Sequence, residues 1–210
     1  MTILYRRGSS LSNQLQRGLS GHAGDGEGGK EGGEGALREG GENASYSREF
    51  AFSKSTGRPA VLNTKPNDSY TFEGASLLVD GYHSRPVFTS GAWLGYLDEP
   101  LDVTIDMGGE QSYRSVELET LAEKGDWIFP PSSVTVWVSD NGTDFTEVAS
   151  VAVPEAKAGD ADGIGRYRMQ FPETSARYLK VVAQNAAAIP AWHPGAGSKG
   201  FLFVDEIVVE

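Results

Sequence analysis

The stretch WIFPPSSVTVWVSDNGTDF, Trp127 to Phe145, decides the fold. Val134, Val136 and Val138 alternate with Thr135, Trp137 and Ser139, the period-two pattern of a strand that buries one face. Pro130 and Pro131 remove two backbone donors just upstream and exclude a helix there. Asp140-Asn141-Gly142 supplies residues that tolerate positive φ, so the spacing predicts a reversal into a second strand from Phe145 to Val153. Such a hairpin argues for antiparallel sheet; what the sheet does is a separate question.

The same signature recurs on both sides. Upstream, Leu101, Val103, Ile105 and Met107 alternate with Asp102, Thr104 and Asp106. Gly108-Gly109 is expected to end that strand before Val116 and Leu118 alternate with Glu117 and Glu119 in the next. Ala60 to Asn63 and Ser76 to Val79 read as short strands set off by the breakers Gly57-Arg58-Pro59, Pro66-Asn67-Asp68 and Gly74. Downstream, Tyr167, Met169 and Phe171 oppose Arg166, Arg168 and Gln170, and Arg177 to Ala183 and Phe201 to Val209 complete the set. No helical period of useful length competes. About eight short antiparallel strands between Gly/Pro loops predict an all-β domain over residues 46–210, two packed sheets in a sandwich of jelly-roll type.

Residues 1–45 read differently. Met1 to Leu19 carries one short apolar run, Thr2 to Tyr5, and Ser20 to Asn43 is dominated by Gly and Glu. Such a tract buries too little apolar surface to offset chain entropy, so a flexible, disordered N-terminal extension is expected, with His22 solvated inside it.

Composition narrows the function classes. A chain of 210 residues with 39% hydrophobic content supports one sizeable core. A formal net charge of −11 and a pI near 4.7, with no run of Lys or Arg, argue against nucleic acid and favour neutral or cationic partners. The absence of cysteine excludes disulfide staples and thiolate metal sites. No apolar run reaches membrane-spanning length, and Met1 to Arg7 lacks the apolar core of a signal peptide; if the parent protein is exported, this chain is expected to be an internal or trimmed piece.

LVDG at Leu78 to Gly81, GAWLGY at Gly91 to Tyr96, LDVTIDMG at Leu101 to Gly108, WIFPPSSV at Trp127 to Val134, VSDNGTDF at Val138 to Phe145 and ARYLKVVAQN at Ala176 to Asn185 together resemble the discoidin, or coagulation-factor type C, domain. More narrowly, SKSTGRPAVL at Ser53 to Leu62 and PAWHPGAGSKGFLFVDEI at Pro190 to Ile207 are similar to the C-terminal, non-catalytic region of bacterial family 20 β-N-acetylhexosaminidases. The resemblance covers Phe50 to Glu210 and implies a galactose-binding-domain-like sandwich related to the family 32 carbohydrate-binding modules. Other discoidin domains bind lipid or protein, and some brace a neighbouring catalytic domain.

Catalysis by this chain alone finds little support. Glycoside hydrolysis normally needs two carboxyl groups facing each other across the scissile bond, roughly 5 to 10 Å apart, and family 20 enzymes use an adjacent Asp-Glu. Asp98-Glu99 lies in a loop, and Asp205-Glu206 falls in a strand, where successive side chains are expected to point to opposite faces. No nucleophile elbow, His/Cys pair or phosphate-cradling loop is present.

Binding rests on loop residues. A sugar offers apolar C–H faces and fixed hydroxyls, so a site needs an aromatic platform beside a few planar donors and acceptors. Tyr82, His83 and Arg85 after the Asp80-Gly81 turn, and Trp192 with His193 before the last strand, are the carbohydrate-binding candidates, expected to converge. Trp127 and Phe129 are further loop aromatics, but Trp127 is expected to pack at the end of the sandwich and Trp93 in the core. The resemblance also implies a structural calcium held by Asp80 and by Glu206 on the final strand, with oxygen ligands that suit a hard cation. Without a cation, Asp80 would cap its own turn.

The expected function is an ancillary carbohydrate-binding module of an extracellular or periplasmic glycoside hydrolase of the β-N-acetylhexosaminidase type. Its partners are a glycan containing N-acetylhexosamine or galactose and a neighbouring catalytic domain. The alternative is a structural or protein-interaction domain without glycan affinity.

Overall fold

The computed structural model of the chain describes Phe50, residues 52–210 and the backbone of two strands further upstream. Those two, β1 (Gly35–Glu39) and β2 (Glu42–Tyr46), pair antiparallel with Gly35 opposite Tyr46. They belong to a unit spanning Met1–Phe50, distinct from one spanning Ala51–Glu210. The rest of the extension expected over residues 1–45, His22 included, lies outside the described residues.

The second unit is built from β3 (Ala60–Leu62), β4 (Leu94–Tyr96), β5 (Leu101–Ala122), β6 (Ser133–Ser139), β7 (Thr146–Ala152), β8 (Gly163–Gln184) and β9 (Leu202–Val209). Every pair of these strands is antiparallel, in the order β4-β9-β5-β8-β6-β7 with β3 added on β5. β5 and β8 are each 22 residues long. Straight, each would reach about 70 Å at ~3.3 Å per residue, well beyond the roughly 40 Å width of a domain of this size. They therefore bend and serve two layers.

The registers show where. Residues 101–106 of β5 pair with β3 and with residues 178–183 of β8, whereas residues 115–122 pair with residues 163–170 of β8 and with β9. Between these blocks the ladder shifts at Asp106/Gln111 and Tyr113/Ser115. One layer is thus β3-β5-β8-β6-β7 and the other β4-β9-β5-β8. The main buried core takes Val103, Ile105, Val136 and Val181 from the first and Leu118, Met169, Val204 and Ile207 from the second, with a smaller cluster of Trp93, Leu121, Ile128 and Phe203, which is the expected jelly-roll sandwich. The predicted hairpin is β6–β7, closed by Gly142 at φ 75° and by Asn141 Oδ1, which accepts the N–H groups of Thr143 and Asp144 at 2.9 Å each.

Three expectations are corrected. Gly108-Gly109 does not end a strand: with Gly108 at φ 81° it kinks β5 between the layers, and the two strands expected there are one. The strands expected around Met169 and Leu179 also fuse, because Pro172 falls between the paired positions Gln170 and Thr174 and so breaks no ladder bond. Ser76 to Val79 is not a strand but part of a 3-10 helix, Gly74–Val79, whose Leu77, Leu78 and Val79 are buried; a short apolar run fits a buried helical turn as well as a strand.

Candidate functional site

Strict alternation would send Asp205 and Glu206 to opposite faces of β9. A bulge prevents it: Leu118 faces Ile207 and Thr120 faces Val204, so Glu119 alone stands opposite both acids. All three carboxylates are buried, and all three meet the same turn, residues 81–85, that follows the 3-10 helix. The Gly81 N–H donates to Glu206 Oε2 at 3.2 Å. The Ser84 N–H donates to Asp205 Oδ2 at 2.7 Å, and its hydroxyl reaches Oδ1 at 3.0 Å. His83 Nδ1 lies 2.9 Å from Glu119 Oε2. Buried carboxylates are costly without donors, so the turn and the acids fix one another.

The acid patch has uneven electrostatics. Burial pushes the Asp205 carboxyl up to about 7 against the opposing pull of the Ser84 hydrogen bonds. Burial, then the charge of Asp80, pushes Glu206 up to about 9. Glu119 has a cation on its other side: its Oε1 is ion-paired with Arg166, its cross-strand neighbour on β8, whose side chain is half exposed. Trp93, fully buried as expected, donates its Nε1–H to the Arg85 carbonyl at 3.0 Å and so fixes the backbone beneath the exposed Arg85 side chain. Tyr82, His83 and Arg85 accordingly share one anchored turn, with Arg166 beside it.

The residues proposed for calcium can be tested against this geometry. Glu206 Oε1 is buried without a hydrogen-bond donor, while Asp80 is near enough for its charge to raise the Glu206 carboxyl. An orphaned carboxylate oxygen beside a second carboxylate fits a hard divalent ion. Asp80 Oδ1 also accepts the Tyr82 N–H at 2.7 Å, the turn cap expected without a cation. Among the described residues no three His, Cys, Asp or Glu side chains converge as a metal site, so the other ligands would be backbone carbonyls or water. Of the two Asp-Glu pairs, Asp205-Glu206 lies beneath the turn. In the other, Asp98 is exposed and ion-paired with Lys199 at 2.6 Å, and Glu99 Oε2 accepts the Lys65 N–H at 2.8 Å.

Trp192 and His193 belong to a second group. His193 is buried; its Nδ1 accepts the Gly195 N–H at 3.0 Å and its Nε2 therefore donates to the Lys124 carbonyl at 2.9 Å, so both ring nitrogens are engaged by the chain itself. The rings of Trp127, Phe129 and Trp192 surround it with centroids 6.0, 5.5 and 5.6 Å away. Trp192 is 40% exposed with its Nε1–H fixed on the Ala156 carbonyl at 2.9 Å. Trp127 is the correction: it is 42% exposed rather than packed away. It closes the 3-10 turn Lys124–Asp126 in the left-handed region at φ 65°, which swings the indole outward, and its benzo edge rests on Gly195, where a Cβ would come within 2.8 Å.

No contact of His83 or Arg85 joins the two loops expected to converge: among the described residues, neither is linked to Trp192 or His193 by a hydrogen bond, ion pair or ring contact. Glu119, Arg166 and Lys124 were not anticipated from the sequence. Glu119 occupies the outward phase of its strand, the only trace it leaves there; the bulge that groups it with Asp205 and Glu206 carries no residue signature.

Against known proteins, the profile of the F5/8 type C domain family matches residues 63–199. No curated protein sequence matches. Among solved structures, the chain is similar to chitosan-binding module 1 of a chitosanase/glucanase from Paenibacillus sp. IK-5, at 18% identity over 75% of this chain and 98% of that one, with a TM-score of 0.48. It is also similar to a CBM32 module from Clostridium perfringens in complex with GalNAc-β-1,3-galactose, at 17% identity over 72% and 93% of the two chains, TM-score 0.48. A third is CBM32-3 from a family 31 glycoside hydrolase of Clostridium perfringens, at 16% identity over 76% and 94%, TM-score 0.47.

Proposed function

The chain belongs to the F5/8 type C domain family, and we propose that it serves as an ancillary carbohydrate-binding module of a secreted glycoside hydrolase. The observation that carries this reading is the anchored turn. Tyr82, His83 and Arg85 are presented from a backbone held by Glu206, Asp205 and the Trp93 indole, with Arg166 brought alongside through Glu119. A backbone fixed before binding, with His83 and Arg166 held by Glu119, suits sugar hydroxyls, because the loop itself loses little freedom on binding. The aromatic group around His193 supplies exposed indole faces for the C–H side of a ring.

The finer reading is a β-N-acetylhexosaminidase-type parent acting outside the cytoplasm, with a glycan containing N-acetylhexosamine or galactose as ligand. It is supported by the likeness of Ser53 to Leu62 and Pro190 to Ile207 to the non-catalytic region of those enzymes. Asp80 and Glu206 hold a calcium ion in this reading, which would supply the partner that Glu206 Oε1 lacks.

A second reading has its own observation. Phe129, Pro130, Pro154, Ala156, Ile189 and Pro190 are among the residues lining an apolar groove of about 330 Å³, which suits docking against a neighbouring catalytic domain. A glycan array on the intact chain separates the two. Retention of hexosamine or galactose glycans, lost in Arg85→Ala, supports binding; no retention of any glycan leaves docking as the function.

A further inference from the structure

The connection from β7 to β8 leaves the sheet after Val153, whose N–H still bonds the Ser132 carbonyl at 2.9 Å. Beyond that it is tied to the rest of the domain at two points. At one, the Trp192 Nε1–H donates to the Ala156 carbonyl at 2.9 Å. At the other, Asp162 Oδ1 accepts the Lys124 N–H at 3.1 Å and is ion-paired with the Lys124 ammonium. Between these ties, among the described residues, the connection bonds only to itself: the Lys157 N–H donates to Asp160 Oδ2 at 2.7 Å and the Asp160 N–H to the Lys157 carbonyl at 3.1 Å. Every residue from Lys157 to Asp162 is exposed.

The two ties lead to one place. The Lys124 carbonyl accepts the Trp127 N–H at 3.0 Å and the His193 Nε2–H at 2.9 Å, and the His193 and Trp192 rings lie 5.6 Å apart. Ala156, Trp192, His193, Lys124 and Asp162 therefore close a circuit. Its ion pair is the link that resists opening. The Lys124 side chain is only 9% exposed, so its ammonium has given up most of its water, and Asp162 is its one ion-pair partner among the described residues. The hydrogen bond from Lys124 lowers the Asp162 carboxyl from its ordinary value, which keeps the pair closed at neutral pH. Trp192, by contrast, is 40% exposed and has a single hydrogen bond to fix its indole, and the acceptor belongs to the tied connection.

We infer that Lys124 and Asp162 are positioning residues for the aromatic group: their ion pair latches the 153–162 connection, so that the Ala156 carbonyl holds the Trp192 indole in the pose a sugar ring meets. Neither residue touches the ligand. An indole fixed in advance loses little rotamer freedom on binding, whereas a released one must be ordered each time. Pro154 and Ala156 also line the apolar groove, so the same latch fixes part of its wall. The positioning role rests on the glycan-binding reading; the latch does not.

The test is exchange of the indole N–H protons with solvent, followed by NMR in the intact chain, beside calorimetric titration with an N-acetylhexosamine oligosaccharide. Asp162→Ala, at an exposed position, removes both bonds to Lys124, and Lys124→Met removes only that of the ammonium. Asp162→Ala should speed exchange at Trp192 about tenfold and weaken glycan binding by a similar factor; Lys124→Met should do less, and the double variant should match Asp162→Ala. Trp93, whose Nε1–H bonds the Arg85 carbonyl from a fully buried ring, should be unchanged in all three. Unchanged exchange at Trp192, or an equal acceleration at Trp93, overturns the latch. Faster exchange at Trp192 with unchanged affinity overturns the positioning role while glycan binding stands. If the unaltered chain binds no glycan of any kind, the glycan-binding reading falls and the positioning role with it, and exchange at Trp192 then judges the latch alone.

Discussion

His83 Nδ1 lies 2.9 Å from Oε2 of Glu119, a carboxylate with no exposed surface whose other oxygen is ion-paired with Arg166. One buried side chain thus positions a mostly buried imidazole and a half-exposed guanidinium from elements far apart in sequence. Glu119→Ala removes this partner from both, leaving Arg166 only the Glu117 carboxylate at 3.8 Å, and should cost about 1–3 kcal/mol of unfolding free energy. Glu119→Gln keeps the shape and should cost less while still weakening glycan binding. Urea unfolding checks both; an unchanged midpoint in Glu119→Ala would mean that the contact holds nothing in place.

Asp205 and Glu206 predict an unusual pH dependence. Burial raises their folded values to about 7 and about 9 from 3.8 and 4.5, so the folded state holds protons that the unfolded state releases. Their contribution is complete below pH 4 and is lost as pH rises through 7 towards 9. In the absence of divalent cations, stability should therefore be greater at pH 5 than at pH 8, by on the order of a few kcal/mol, and Asp205→Asn should flatten the profile. Thermal melts across pH 4 to 9 decide it, and a rise in stability over that range would contradict the account.

Much of this was legible in the sequence because it is written in local alternation. The hairpin of β6 and β7, the inward face of β5 and the buried Trp93 follow from residues two apart and from turn chemistry. What alternation cannot show is where the ladder slips. Gly108-Gly109 reads equally as a stop or a kink, and only the pairing of residues 101–106 and 115–122 with different partners separates the two. The bulge opposite Glu119 likewise defeats the rule that placed Asp205 and Glu206 on opposite faces. Trp127 was misplaced because its exposure depends on one backbone angle, φ 65°, at a position where a large residue is rarely found in that region.

If a cation sits between Asp80 and Glu206, its binding must stabilise the fold. Added calcium at about 100 times its dissociation constant should raise the unfolding free energy by roughly 2.7 kcal/mol, and chelator should reverse it. The ion would also keep Glu206 ionised and so weaken the loss of stability at high pH. Asp80→Ala should abolish the calcium response. No melting shift with calcium or chelator would leave Asp80 as a turn cap.

Trp93 and Trp192 should behave oppositely. Trp93 is fully buried and bonds the Arg85 carbonyl, so Trp93→Ala should cost about 3–5 kcal/mol and loosen the turn. Trp192 is 40% exposed, so Trp192→Ala should lower stability by much less and act mainly on glycan affinity. Denaturation and glycan retention measured on the same samples would separate the effects; a comparable loss of stability in both variants would make Trp192 structural.

The central claim is that the anchored turn is where a glycan meets the protein. Backbone amide chemical shifts of the isotope-labelled chain, followed during titration with a hexosamine oligosaccharide, test it residue by residue. The account predicts progressive shifts at Tyr82, His83, Arg85 and Arg166, together with the Trp192 indole. Saturating shifts confined to the groove around residues 153–156 and 186–191, or none at the turn, would contradict it.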